Sequence, residues 1–376
     1  NYGTAYFGTA NDINWKDPYS EQYSLSVDHE FQGGYGARIS YIGLETHDLV
    51  WAPNLNDLPY SNTTSAYNQP LSVRPFPNWG TINTRSTGAN ASYNSLQLDA
   101  SHRYSHGLTF DSSYTLAKNL ADNQGPDSSG FSGEVGGSRS SYGRDRTVDF
   151  GQVYGTRRHR WSTTMVYELP VGRGSQFGGS MNRLEDALVG GWQLSNIFLW
   201  QSGPFLSAYF PAGSVDPSGT GSGLNNSATG GSYPGRPQKP DRIASPAAHG
   251  QGRNNWINRA SFTCPGEPDW TFGETCNVGS GQPGALAPIG RFGNSQVGDI
   301  EGPGTVNLSS GLSKTFILAE GIRLRADGTF TNVLNHTNLN DPGLNLTSSQ
   351  FGVITTARGS DFGGSRTGQV SMRLEF

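Results

Sequence analysis

The chain has 376 residues with 26 Lys+Arg against 30 Asp+Glu, a net charge of −4 that offers no basic footprint to a nucleic acid. Hydrophobic residues make up only 34% and mean hydropathy is −0.53, poor for a conventional packed core of this length, whereas 16 Tyr, 18 Phe, 8 Trp and 52 Gly suit a barrel with a polar lumen and aromatic rims. No run approaches the roughly 18 apolar residues of a membrane-spanning helix; the longest is Ile197–Trp200.

From Tyr19 to Gln32 the side chains alternate, with Tyr23, Leu25, Val27 and Phe31 on one face and Gln22, Ser24, Ser26 and Asp28 on the other. Gly33-Gly34 turns the chain, and Tyr35, Ala37, Ile39 and Tyr41 carry the pattern back to about Leu44. A stretch rich in Asn, Pro and Ser, about 45–90, reads as a long functional loop. A second hairpin follows, with Leu96, Leu98, Ala100, His102 and Tyr104 leading to a turn at Ser105-His-Gly107, and Leu108, Phe110, Tyr114 and Leu116 returning. After a polar loop at about 118–158, Trp161, Thr163, Met165, Tyr167 and Leu169 mark a strand. Met181–Val189 has the makings of a short helical turn, and Trp192, Leu194, Phe198 and Trp200 mark the next strand. The largest loop, about 202–303, holds both cysteines. Val306, Leu308, Leu312 and Phe316 give one strand and Ile322, Leu324, Ala326, Phe330 and Leu334 its partner. A loop at about 335–365 leads to the last strand, where Val370, Met372, Leu374 and Phe376 alternate with Gln369, Ser371, Arg373 and Glu375.

Short connections near 33, 106, 180 and 320 thus alternate with long ones at about 45–90, 118–158, 202–303 and 335–365. A soluble sandwich has no reason to sort its loops by parity. An outer-membrane barrel does, because its periplasmic turns are tight and its extracellular loops long. The expected fold class is all-β, an antiparallel transmembrane β-barrel in the outer membrane of a Gram-negative bacterium. About nine strands are legible, whereas bacterial single-chain barrels have an even number. With Asn at residue 1 and no leader visible, residues 1–376 read as the C-terminal part of one barrel domain whose first strands lie upstream.

Several stretches resemble the TonB-dependent outer-membrane transporters, and within them the Oar-like receptors that carry a carboxypeptidase-regulatory-like domain. They are Tyr93-Asn-Ser-Leu-Gln-Leu98, Gly107-Leu-Thr-Phe-Asp-Ser-Ser-Tyr-Thr-Leu-Ala-Lys118, Arg157-Arg-His-Arg-Trp161, Val166-Tyr-Glu-Leu-Pro-Val-Gly172, Gly190-Gly-Trp-Gln-Leu-Ser195, Gln201-Ser-Gly-Pro-Phe205 and, most specifically, the segment from Arg323 to Asn338. The resemblance implies a 22-stranded barrel closed by an N-terminal plug, with import powered by the TonB complex. It also implies that the final aromatic, Phe376, belongs to the signal read by the barrel-assembly machinery. The plug and the TonB-contacting segment are absent from this sequence, so contact with the TonB complex would run through the missing N-terminal part. The function implied is TonB-dependent uptake of an unnamed ligand. The alternatives are an adhesive or structural surface protein whose loops bind a neighbour without transport, and a fragment that assembles with other chains.

Candidate sites lie in the loops. Trp51, Trp79, Tyr233, Trp256 and Trp270 are aromatics suited to stack on a sugar or pack on a peptide, unless loop folding buries them. Arg144, Arg146, Arg157, Arg158 and Arg160 cluster where a long loop enters a strand. Arg157, Arg158 and Arg160 are candidates for lipopolysaccharide phosphates, against a solvated rim paired with Asp145 and Asp149. Cys264 and Cys276, close in sequence in an oxidising compartment, are expected to form a disulfide rather than a metal site. His102 and His106 are expected at the surface, without the helical spacing of a metal pair. Asp122, Asp127, Asp216 and Asp361 sit in Gly-rich loops but lack a calcium-loop spacing. No cofactor is called for, and no Gly-x-Ser-x-Gly, His-Glu-x-x-His or Walker motif accompanies His47, His159 or His336, so enzyme chemistry is not expected.

Overall fold

A computed structural model describes residues 5–77, 79–122, 140–224, 235–319, 321–359 and 364–376. In chain order the strands are β1 (Ala5–Asn11), β2 (Tyr19–Phe31), β3 (Tyr35–Trp51), β4 (Trp79–Ser105), β5 (Leu108–Ala121), β6 (Gly151–Gln152), β7 (His159–Glu168) and β8 (Trp192–Gln201). They continue as β9 (Phe205–Leu206), β10 (Asp241–Arg242), β11 (Phe262–Thr263), β12 (Ile300–Glu301), β13 (Thr305–Ala319), β14 (Ile322–Thr331) and β15 (Thr367–Glu375). One helix, α1 (Arg183–Val189), lies between β7 and β8.

Nine strands make the main path of one sheet, in the order β15-β14-β13-β8-β7-β5-β4-β3-β2, each antiparallel to its neighbours. Sequence neighbours are spatial neighbours throughout, the up-and-down order of a barrel wall. β1 adds parallel to the outer part of β4, and β6 pairs with the end of β5.

Because residues paired across a ladder share a face, the register sorts the side chains without ambiguity. One row runs Val27, Ile39, Leu98, Tyr114, Trp161, Trp200 and Val306. Another runs Tyr167, Leu194, Leu312, Gly328 and Val370. The opposite face carries Asp28, Arg38 and Asp99 in one row, and Gln193, Ser313, Asp327 and Ser371 in another. Arg38 pairs with Asp28, and Arg325 with Asp327 at 2.8 Å. A continuous apolar face backed by a continuous polar one is the division between lipid and lumen that a barrel wall requires. The exposure of Leu25, Val27, Val370 and Met372, at 71%, 59%, 75% and 74%, follows from that: lipid is their partner.

The packed core sits elsewhere. Leu206, Phe210, Val215, Phe262, Trp270, Leu346 and Phe351 form one buried cluster drawn from the two long loops after β8 and β14. Leu58, Ala66 and Leu224 join the loop after β3 to the loop after β8. Tyr142, Val148 and Phe292 bring in the loop after β5. The four long connections therefore fold together as one cap, where the sequence suggests four separate loops. Its glycines permit close backbone approach: a Cβ on Gly279 (φ 69°) would lie 2.0 Å from the Asp216 carbonyl oxygen, and one on Gly203 1.7 Å from that of Gly302.

The expectation of a loop over 45–90 needs correction at both ends. β3 continues to Trp51 and β4 begins at Trp79, leaving 52–78 as the connection. A tilted strand crosses the bilayer in roughly 9–11 residues, so 27-residue β4 projects well beyond it. Outside lipid nothing selects apolar alternation, and a ladder of Asn, Ser, Thr and Gly resembles a loop in sequence. His102 also differs from the expectation: it is 5% exposed, with Nδ1 3.0 Å from the Leu108 carbonyl oxygen and Nε2 3.1 Å from that of Gly33. His106 is exposed, in a two-residue turn with Gly107, both at positive φ.

Candidate functional site

The cap meets the polar face at the end of β4 and β5. Ser95 and Ala117 oppose one another there in the ladder, and both are buried. A cavity of about 480 Å³ adjoins this pair, walled by Gln152, Arg158 and Phe205 and also by Tyr41, Leu96 and Leu116, one row of the apolar face. The Arg158 guanidinium lies over the Phe205 ring at 5.4 Å and 4.0 Å from the Glu301 carboxylate. A delocalised cation on an aromatic ring with an amide nearby presents a flat polar surface suited to anionic or planar groups. A second cavity, of about 570 Å³, lies between the strand ends and the cap, lined by His159, Trp200, Gln251, Trp256, Asp299 and Glu301.

Buried ion pairs hold the cap in shape. Arg236 stands 3.7 Å from Asp57, and Asp57 also accepts from Asn54 and the Gly143 N–H. Arg291 grips both oxygens of Asp241 at 2.7 Å. Arg358 pairs with Asp341 at 2.9 Å, which also accepts from the Tyr154 hydroxyl at 2.8 Å. Burial pushes the carboxyls of Asp149, Asp216 and Asp299 up to about 6, against the weaker pull of N–H donors and nearby cations.

Most candidate aromatics are spent on this packing. Trp270 is buried, its ring edge-on to Phe210 at 5.8 Å. Trp256 packs against the main cluster and donates its indole N–H to the Glu301 carbonyl at 2.9 Å, yet still lines the second cavity. Trp51 is partly buried beneath the Arg146 guanidinium at 5.7 Å, and Trp79 is partly buried where β1 joins β4. Tyr233, Asp127 and Asp361 lie outside the described residues.

The arginines part company. Arg157 turns into the cap, donating to the Tyr154 carbonyl at 3.3 Å, its pKa drawn down by burial and by Arg358. Arg158 walls the first cavity, and Arg160 opposes Thr115 and Gln201 on the polar face, away from lipid. Arg146 is 4.0 Å from Asp122. Cys264 and Cys276 are joined by a disulfide, so the nearby Glu267 completes no metal site. Asp216 is fully buried, its oxygens taken by the Ser218 hydroxyl and the Gly221 N–H. Phe376 is 98% exposed after the final strand. His47 and His159 contact Asn90 and Tyr114, and His336 is exposed. The Ser95–Ala117 floor and the Gln152 wall went unnoticed in the sequence, because only the ladder register reveals small residues beneath a loop.

The profile of the outer membrane beta barrel domain family matches residues 1–369. No curated protein matches the chain. Among solved structures, the outer-membrane transporter YddB from Escherichia coli is similar over 100% of this chain and 34% of its own, with 11% identity and a TM-score of 0.46. The FrpB iron transporter from Neisseria meningitidis is similar over 97% of this chain and 32% of its own, with 8% identity and a TM-score of 0.37. The ferric citrate transporter FecA is similar over 94% of this chain and 30% of its own, with 10% identity and a TM-score of 0.36. The chain spans about a third of the length of these structures. Divided faces, up-and-down order and a family match over nearly the whole chain converge: this chain belongs to the outer membrane beta barrel domain family, and its place is the outer membrane of a Gram-negative bacterium.

Proposed function

We propose that this chain is the ligand-receiving wall and cap of a TonB-dependent outer-membrane transporter of the Oar-like kind. The observation that carries the reading is the cavity where the cap meets β4 and β5, which brings Arg158 and Phe205 together with the Ser95–Ala117 pair. The motifs around Arg157–Trp161, Gln201–Phe205 and Arg323–Asn338 support the TonB-dependent assignment by resemblance. Contact with the TonB complex would fall to a segment upstream of this chain, and recognition by the barrel-assembly machinery to the strand ending at Phe376.

The test compares spent media by mass spectrometry, using cells with the parent protein, cells lacking it, and cells with Arg158→Ala plus Phe205→Ala. At least one solute is expected to be depleted only when the protein is present. Depletion should slow about tenfold in the double variant, the equivalent of roughly 1.4 kcal/mol of binding, and stop when the proton-motive force is collapsed. Depletion that continues without that force would remove the TonB-dependent part. Spent media without a differential solute would remove uptake and leave adhesion.

A further inference from the structure

The connection between β7 and β8 carries α1 at the end of the short turns, the periplasmic end in barrels of this kind. The start of α1 is closed by a capping box: Asn182 accepts from the N–H groups of Leu184 and Glu185, and Glu185 accepts from the N–H of Asn182. Its polar side is tied down, Asp186 accepting from the Arg173 N–H at 2.6 Å. Its other side is bare. Leu184 and Leu188, four residues apart and therefore on one helix face, are 79% and 76% exposed, and Val189 is 44% exposed.

What fixes the helix to the sheet shows which way that bare side looks. The Leu188 carbonyl accepts from the Trp192 indole N–H at 3.1 Å and from the Lys314 ammonium at 3.3 Å, and Lys314 also donates to the Gly190 carbonyl. Lys314 lies over the rings of Trp192 and Phe316, at 4.9 and 5.1 Å. Trp192, Lys314, Ala326 and Met372 form one row of the ladder, and Phe316, Leu324 and Leu374 the next on the same face. This is the apolar, lipid-facing side, so the helix C-terminus is docked on the outside of the barrel wall. An apolar groove of about 490 Å³, lined by Leu194, Leu312, Phe330 and Val370, runs from Lys314 along the same face. The helix thus sits at the edge of the lipid-facing surface, with Leu184 and Leu188 uncovered.

We propose that α1 is an interfacial helix that sinks Leu184 and Leu188 into the boundary between headgroups and acyl chains of the periplasmic leaflet. Lys314 fixes its depth by holding the last carbonyls of the helix at the rim, as interfacial lysines and tryptophans do at membrane surfaces. Arg173 and Arg183 stand nearest in sequence to meet anionic headgroups.

Both cysteines of the chain are held in a disulfide, so single nitroxide labels can be introduced through Leu184→Cys, Leu188→Cys and Glu185→Cys. The full-length protein is reconstituted into vesicles of phosphatidylethanolamine and phosphatidylglycerol, and collision rates with oxygen and with a water-soluble nickel chelate are measured. The proposal expects the labels at 184 and 188 to collide at least about threefold more with oxygen relative to nickel than the label at 185. Equal ratios at the three positions would overturn it. So would labels at 184 and 188 that are shielded from both reagents in native outer membranes, because a protein partner would then cover the face.

Discussion

Asp149 is buried, one carboxylate oxygen taken by the Ser141 N–H at 2.6 Å and the other lacking a donor among the described residues. With its pKa raised to about 6 from an ordinary value near 4, the folded cap binds this proton more tightly than the unfolded chain does. The sign follows: stability from this group is greatest in acid, falls as pH rises from about 4 to 6, and stays low above that. The two-unit displacement corresponds to something on the order of 3 kcal/mol. Asp149→Asn keeps the acceptor for Ser141 and removes the charge. It should raise the thermal midpoint of the cap at pH 7.5 and leave it nearly unchanged at pH 4, read by near-ultraviolet circular dichroism. Destabilisation at pH 7.5 with none at pH 4 would show that attraction to Lys239 and Arg236 outweighs burial.

His102 illustrates what an element contributes beyond its own strand. From β4 it reaches a carbonyl of the Gly33 turn on one side and of Leu108 on the other, joining two hairpins at the end of the short turns. An imidazole with one N–H donates to one of the two carbonyls, and a buried carbonyl left without its donor costs about 1–3 kcal/mol. His102→Ala should therefore speed hydrogen exchange around residues 33–35 and 107–109, while leaving exchange in β13 and β14 unaltered. In the sequence His102 was placed correctly on a strand, yet its burial was not legible, since burial depends on turns about 70 residues apart in the chain. The reverse holds for α1. Asn182 and Glu185 form the capping box within four residues, so the helical turn over 181–189 is encoded locally.

At the scale of the molecule, two bodies are held by different forces. The wall relies on backbone ladders and lipid, the cap on a buried apolar cluster, ion pairs and the Cys264–Cys276 disulfide. The bridge spans 12 positions, and restricting a loop of that size contributes about 2–3 kcal/mol. Cys264→Ser with Cys276→Ser should therefore make the cap cleavable by trypsin at Arg253, Arg259 or Arg291 under conditions that spare the parent. The wall should still resist as a heat-modifiable band in gel electrophoresis. Loss of both at once would show that the wall needs the cap.

The period-2 alternation of strands such as β2, β13 and β15, together with the sorting of short and long connections, was enough to determine an outer-membrane wall. Those signals are local, since lipid on one side and a polar lumen on the other impose themselves on every second residue. Where lipid ends the imposition ends, and the outer part of β4 could be recognised only from its pairing with β1 and β3. The union of four loops into one cap, the placing of Arg157 inside it and Arg158 at a cavity, and the exposure of α1 on the lipid side were decided by tertiary structure. Each depends on contacts between residues far apart in the chain, which no periodicity within one segment records.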